Sequence, residues 1–125
     1  MKIHRFPFVL LTVTSLIIVA VTFPGNALPD LGREWIGFDK LVHMLMFLVW
    51  AVAFHADFGI ETGKNILQAF VVCILFSLFT EFLQLFAEGR SFDLYDGLFD
   101  LIGFSVGIIG RKIFVLPLSV FSKEN

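Results

Sequence analysis

Ionisable and amide side chains recur at helical spacings in this apolar sequence. Asp39 and His43 are four residues apart, and Glu81 and Gln84 are three apart, so each pair would share one face of a helix. Carboxylates and an imidazole differ in intrinsic proton affinity, and such a difference lets one site supply both a proton donor and a proton acceptor. The spacing therefore predicts an acid/base site built between helices.

A third polar set follows the third apolar segment. Arg90 carries a planar guanidinium, which can bind a phosphate or a carboxylate through two hydrogen bonds. Asp96, expected in the loop before the fourth helix, is followed at helical spacing by Asp100, Gly103 and Gly107. Glycines four residues apart let another helix pack closely. We therefore expect this stripe, including its carboxylates, to face the interior of a helix bundle.

The candidate residues divide by the role expected of them. The expected catalytic residues are His43, Glu81, Asp96 and Asp100. The expected substrate-binding residues are Asp39, Lys40, Gln84 and Arg90. A divalent metal ion is a possible cofactor, because oxygen and imidazole ligands suit such ions; its candidate ligands are Glu81, Asp96, Asp100 and His43. The spacing does not distinguish metal-dependent from metal-free chemistry, and no HExxH or P-loop pattern is present.

The elements that must position these groups are strongly apolar. Of 125 residues, 58% are hydrophobic and 17 are Phe, more than a small soluble domain could bury. The sequence predicts an all-α polytopic membrane protein, with one domain over residues 1–125. Its four transmembrane helices are expected at about 6–23, 39–56, 66–87 and 97–116. Helices are favoured over strands because lipid offers the backbone no hydrogen-bond partner.

The distribution of Lys and Arg predicts the orientation. If the N-terminus is cytoplasmic, six basic residues fall on the inner side and three on the outer side, which favours both termini in the cytoplasm. The inner set is Lys2, Arg5, Lys64, Arg111, Lys112 and Lys123, and the outer set is Arg33, Lys40 and Arg90. Trp35 and Tyr95 would then lie near the outer interface, and Arg111 and Lys112 would extend to the inner one. All three polar sets would share the outer side.

Residues 1–27 leave an alternative open. Their basic start, apolar core and Gly25-Asn26-Ala27 also resemble a secretory signal with a cleavage site. The uncharged run of 18 residues is longer than the usual signal core of about 7–15 residues, which favours a retained helix. Cleavage would leave three spans in the same orientation.

The polar residues, taken in order, resemble the VanZ-like family of small bacterial membrane proteins over about residues 35–110. The matching series is Asp39-Lys40-x-x-His43, Glu81-x-x-Gln84, Arg90, Asp96, an acid at position 100 and Gly103. The resemblance implies a multi-pass protein of the bacterial cytoplasmic membrane that acts on a cell-envelope component. The family is named for a member linked to low-level teicoplanin resistance. The family usually has Asn where this chain has Asp100, so here the site gains a negative charge that would alter its metal affinity.

Three classes of function remain open from the sequence. The first is an enzyme or binding protein for a lipid-linked phosphate, such as a polyprenyl carrier, or for a glycopeptide at the outer leaflet. The second is a proton- or ion-coupled transporter or lipid-handling protein, which is disfavoured because the third helix offers only Gln68 toward the inner side. The third is a non-catalytic accessory protein with a structural polar network. Membrane lipids are the expected partners, and nucleic acid is not, because no basic cluster is present.

Overall fold

Four α-helices follow one another along the chain. The computed structural model describes residues 6–24 and 37–121, without the side chains of residues 112–121. The helices are α1 Phe8–Thr22, α2 Phe38–Phe58, α3 Gly63–Gln84 and α4 Leu94–Phe121, and the described residues contain no strand. The expected all-α class is confirmed for these residues. Trp35 and the possible cleavage site lie outside the described residues.

Two of the four expected spans have the length and composition of a membrane-crossing helix. These are α2, with 21 residues, and α3, with 22 residues. The apolar α1 has 15 residues, which extend about 22 Å at 1.5 Å per residue. That is shorter than the roughly 30 Å hydrocarbon layer. The described part of α4 carries three charged side chains, those of Asp96, Asp100 and Arg111.

Glycine and threonine set the junction between α2 and α3. Gly59 adopts a left-handed conformation, with φ of 63°, and its N–H donates to the His55 carbonyl at the end of α2. Glycine adopts this conformation without a Cβ clash. The Thr62 hydroxyl then accepts a hydrogen bond from the Asn65 N–H at 3.2 Å, which caps the start of α3.

The expected bounds of the junction between α3 and α4 were wrong by about one turn. The third helix ends at Gln84, and not at residue 87, because the chain then turns through Gly89, with φ of 73°. The fourth begins at Leu94, and not at residue 97, because Asp93 Oδ1 accepts the Tyr95 N–H at 2.9 Å. Asp96 therefore lies in the first turn of α4 instead of in the loop.

Glycines on α4 bring it against α2. A Cβ at Gly103 would overlap the Met44 carbonyl oxygen, and one at Gly107 would lie 2.6 Å from Ala51 Cβ. These contacts advance in the same direction along both helices, so α2 and α4 run parallel. The expected packing role of the two glycines therefore has a physical basis in direct backbone contact.

The other two helices run opposite to α2 and α4. Along α3 and α4, Ser77 bonds Asp100 and the Phe70 ring meets the Phe104 ring. Along α1 and α2, the Leu10 N–H donates to Asp57 Oδ2 at 2.7 Å and the Trp50 indole donates to Thr14 Oγ1 at 2.9 Å. The bundle thus alternates in direction from each helix to the next.

Aromatic rings fill the middle of the bundle. The Trp50 ring lies 5.0 Å from Phe76 and 5.6 Å from Phe104, centroid to centroid, and Phe47 packs beside them. Phe47 and Phe104 are fully buried. Large apolar side chains also remain exposed on all four helices, for example Leu16, Val49, Leu75 and Ile109. An apolar exterior around an apolar core suits a protein surrounded by lipid.

Arg111 departs from expectation at the opposite end of the bundle from the polar residues. It was expected to extend to the inner interface, but it is only 5% exposed. Its Nη1 has no hydrogen-bond partner among the described residues. Gly107, about one turn before Arg111, lies directly against Leu48 and Ala51 of α2. The side chain of Lys112 lies outside the described residues.

Candidate functional site

A buried imidazole from α2 forms the centre of the polar cluster. His43 lies in the second turn of α2 and is 1% exposed. Its Nδ1 lies 2.8 Å from Asp100 Oδ1 on α4 and 3.8 Å from Glu81 Oε1 on α3. Three separate helices therefore place one histidine and two carboxylates in direct proximity.

Ser77 and Asp93 fix the two carboxylates. The Ser77 hydroxyl donates to Asp100 Oδ2 at 2.6 Å, and the Asp93 backbone N–H donates to Glu81 Oε2 at 3.0 Å. Glu81 Oε1 has no hydrogen-bond partner among the described residues, although the residue is 1% exposed. Each carboxylate is thus held through one oxygen while the other faces His43.

The second nitrogen of the imidazole faces a different pair of groups. His43 Nε2 lies 3.4 Å from Gln84 Nε2 and 3.8 Å from Asp96 Oδ2. With the proton on Nδ1, donated to Asp100, the Nε2 lone pair can accept from the Gln84 amide. A carboxylate that fixes one imidazole nitrogen and leaves the other available is the arrangement that enzymes use to orient a histidine base.

Lys40 covers the cluster at the start of α2. Its Nζ lies 3.1 Å from Asp93 Oδ2 and 3.3 Å from Asp96 Oδ1. The Lys40 side chain is 23% exposed and that of Asp96 is 3% exposed, so this ion pair connects the buried groups with the surface. The cationic group lies where an anion approaching the imidazole from this end would meet it.

Arg90 and Asp39 lie at the rim of the cluster. Arg90 Nη1 is 3.6 Å from Asp39 Oδ1, and its Nε donates to the Phe23 carbonyl at 3.3 Å. The Asp39 side chain is 54% exposed and that of Arg90 is 16% exposed. Arg90 therefore joins the end of α1 to the start of α2, and its guanidinium is partly accessible.

The helix dipoles stabilise the negative charges of two of these carboxylates and destabilise that of a third. Asp39 and Asp96 lie in the first turns of α2 and α4, where the positive end of the helix dipole stabilises a carboxylate. Glu81 lies in the last turn of α3, where the dipole is unfavourable for a negative charge. The backbone hydrogen bond from Asp93 offsets part of that cost, because it donates directly to the carboxylate.

The ionisation of Asp93 makes the stability of the folded protein depend on pH. The Tyr95 N–H, and then Lys40, hold the pKa of the Asp93 carboxyl below its ordinary value. These contacts stabilise the folded protein fully above the ordinary Asp pKa of about 3.9, and their contribution is lost as pH falls through the lowered pKa. We expect Asp93→Asn to cost about 1 kcal/mol or less near pH 7, because the ion pair is partly exposed, and the difference from wild type to shrink toward pH 3. Thermal unfolding in detergent measures this, and a difference that stays constant with pH would contradict it.

The structure gathers all eight sequence-predicted site residues at one end of the bundle, but not in one layer. The buried members are His43, Glu81, Gln84, Asp96 and Asp100. Lys40 lies above them, and Asp39 and Arg90 form the rim. The sequence reasoning missed Ser77 and Asp93. Ser77 had a usable signal, because it precedes Glu81 by four residues and so shares its helix face.

Comparison of the sequence with known protein families identifies the family of the chain. The sequence model of the family described as VanZ/LLP1 matches residues 3–115. The chain belongs to the VanZ/LLP1 family. The resemblance seen in the order of the polar residues is thereby confirmed, and every residue of the cluster lies within the matched part of this VanZ/LLP1 protein. Two helices able to span a bilayer, together with this family, make it a membrane protein. No curated protein and no solved structure shows significant similarity to it.

Proposed function

We propose that this VanZ/LLP1 protein is an enzyme of the bacterial cytoplasmic membrane that acts on a lipid-linked phosphate at the outer leaflet. One observation carries the proposal: a fully buried imidazole, His43, is fixed at Nδ1 by Asp100 and presents Nε2 to polar groups beneath Lys40. Desolvated and oriented in this way, an imidazole is suited to exchange a proton with a reacting phosphate or water.

The location of the cluster along the helices supports a lipid substrate. His43 and Asp100 lie in the second turns of α2 and α4, and Glu81 lies in the last turn of α3. We propose four membrane crossings with both termini in the cytoplasm, as the distribution of basic residues favours. The cluster then lies at the depth of the outer headgroups, where the phosphate of a membrane-anchored carrier would be.

The basic side chains supply the contacts that an anionic headgroup needs. Lys40 Nζ is partly exposed above Asp96, and Arg90 lies beside it at the rim. We propose that these two bind the phosphate, while Gln84 and Asp96 hold the imidazole in position for proton transfer. Both basic groups have carboxylate partners in this structure, so phosphate binding would replace part of those contacts.

A transport function is less well supported. A proton or ion carrier needs polar groups along a path through the membrane. Below His43 the bundle interior is occupied by buried Phe47, Trp50, Cys73 and Phe104. Among the described residues, this apolar layer separates the cluster from Arg111 at the opposite end.

Release of phosphate from a lipid tests the proposal. The purified protein is reconstituted in vesicles that contain a polyprenyl phosphate or pyrophosphate, and inorganic phosphate is measured. We expect release by wild type, a raised KM for Lys40→Gln, and no change for Lys64→Gln, which alters an exposed lysine at the other end of the bundle. The proposal fails if wild type releases no phosphate, or if the two variants behave alike.

A further inference from the structure

Two buried carboxylates converge on one nitrogen of the buried imidazole. Glu81 Oε1 lies 3.8 Å and Asp100 Oδ1 lies 2.8 Å from His43 Nδ1. The three residues are all 1% exposed or less, and one potential ligand atom from each lies within 4.8 Å of the other two. Two carboxylates brought this close without water need either a shared proton or a cation between them.

The far oxygen of each carboxylate is already occupied. Asp100 Oδ2 accepts from the Ser77 hydroxyl, and Glu81 Oε2 accepts from the Asp93 N–H. Ser77 and the Asp93 N–H therefore orient the near oxygens of Asp100 and Glu81 toward His43. Metal ligands are typically oriented in this way, by hydrogen bonds to the atoms that do not bind the ion.

One of the two near oxygens has no partner. Glu81 Oε1 is buried and receives no hydrogen bond from any described residue. A buried charged acceptor without a partner is costly, because it has lost its water and gained nothing in return. A cation between the three residues would bind this oxygen together with Asp100 Oδ1 and His43 Nδ1.

The other imidazole nitrogen has an acceptor for its proton. If Nδ1 binds a cation, Nε2 carries the hydrogen and faces Asp96 Oδ2, 3.8 Å away. The opposite oxygen of Asp96 is held by Lys40. Gln84, 3.4 Å from Nε2 through its amide nitrogen, can present its amide oxygen after a half-turn. The surroundings of the ring thus accommodate a metal-binding tautomer without movement of a helix.

We infer that His43, Glu81 and Asp100 bind a divalent cation of the Mn²⁺ or Zn²⁺ class. One imidazole nitrogen and two carboxylate oxygens suit these ions, and three protein ligands leave positions for water or a phosphate oxygen. The inference rests on the proposed function in one respect. Among the described residues, five carboxylates in and around the cluster face two basic side chains, so an anionic substrate needs further positive charge there. His43 would then hold the ion through Nδ1 and offer its Nε2–H as a hydrogen-bond donor to a phosphate oxygen.

Binding of Mn²⁺ to the purified protein, without lipid substrate, tests the inference. The protein is prepared in detergent with a tag that contains no histidine, treated with a chelator and titrated with Mn²⁺. Free Mn²⁺ is followed by electron paramagnetic resonance. We expect one ion per chain and affinity reduced about 10–100-fold by Ser77→Ala, the usual effect of losing an outer partner. We expect at least as large a loss for Glu81→Gln. Glu88→Gln, which changes an exposed carboxylate in the following turn, should bind like wild type.

The magnetic resonance spectrum of bound Mn²⁺ also identifies its ligands directly. Electron spin-echo modulation of the wild-type complex should show coupling to an imidazole nitrogen, and the coupling should disappear in His43→Asn. This wild-type signal decides the matter even where a variant folds poorly. Absence of stoichiometric Mn²⁺ binding, absence of nitrogen coupling, or equal affinities for Glu81→Gln and Glu88→Gln would overturn the inference. Metal binding without phosphate release would leave the inference standing and remove the proposed function.

Discussion

Replacement of His43 by alanine is expected to lower the rate of phosphate release by at least about 100-fold, the lower range for loss of a general acid or base. The imidazole is the only group in the cluster that contacts carboxylates from both α3 and α4 within 4 Å among the described residues. No other side chain can therefore take over its proton transfer without a shift of a helix. The rate is measured in vesicles at saturating lipid substrate, so that weakened binding does not contribute.

A second histidine provides the control for this prediction. His55 is half-buried near the other end of α2, where its Nδ1 accepts the Ile60 N–H at 3.0 Å. In His55→Gln the amide oxygen can keep that hydrogen bond, and turnover should stay close to wild type. Equal losses in the two variants, or normal turnover in His43→Ala, would show that the imidazole of the cluster is not part of the reaction.

The largest effect on folding is expected at Gly103. An alanine Cβ there would overlap the Met44 carbonyl oxygen and lie 2.9 Å from Met44 Cα, so the backbones of α2 and α4 must separate. Overpacking of this kind usually costs about 1–3 kcal/mol. We expect Gly103→Ala to reduce the free energy of unfolding in mixed micelles by that amount. Turnover should also fall, because Asp100 lies one turn away on the same helix and contacts His43.

Gly63→Ala is the matched control for the packing prediction. Gly63 begins α3, and a Cβ at that position would meet nothing within 4 Å. Its unfolding free energy should equal or slightly exceed that of wild type, because alanine favours the helix more than glycine does. A Gly103→Ala protein as stable as Gly63→Ala would mean that α2 and α4 are further apart than the structure places them.

The positions of the main site residues followed from helical spacing and hydropathy. Asp39 and His43 share a face of α2, and the Asp100 and Gly103 stripe faces α2 because only glycine permits that approach. Such one-helix patterns can be read from sequence because the α-helical period is fixed. The all-α class followed in the same way from the long apolar runs.

Contacts between segments distant in sequence could not be read in this way. The register of α3 against α4 decides that Ser77, and not a neighbouring residue, reaches Asp100. The turn between these helices decides that the Asp93 N–H meets Glu81. Asp93 belongs to a loop, where a single carboxylate carries no sequence signal that separates it from a solvated charge. The burial of Arg111 likewise depends on contacts between helices, which one segment's sequence does not show.

A structural polar network is the main alternative to a reaction centre, and it makes a different prediction for Glu81. The cluster is well hydrogen-bonded apart from Glu81 Oε1. In Glu81→Gln the remaining oxygen can still accept the Asp93 N–H, while one buried negative charge near Asp96 and Asp100 is removed. If the carboxylate is kept for chemistry and not for stability, its loss relieves repulsion without breaking a hydrogen bond.

The melting temperature and turnover of Glu81→Gln, compared with those of wild type, therefore test the central claim most directly. Melting is measured in detergent with a chelator present, and turnover in vesicles with Mn²⁺ present. We predict a melting temperature equal to or above that of wild type, together with loss of phosphate release. A marked fall in melting temperature with phosphate release retained by the folded fraction would contradict the claim and assign the cluster to helix packing.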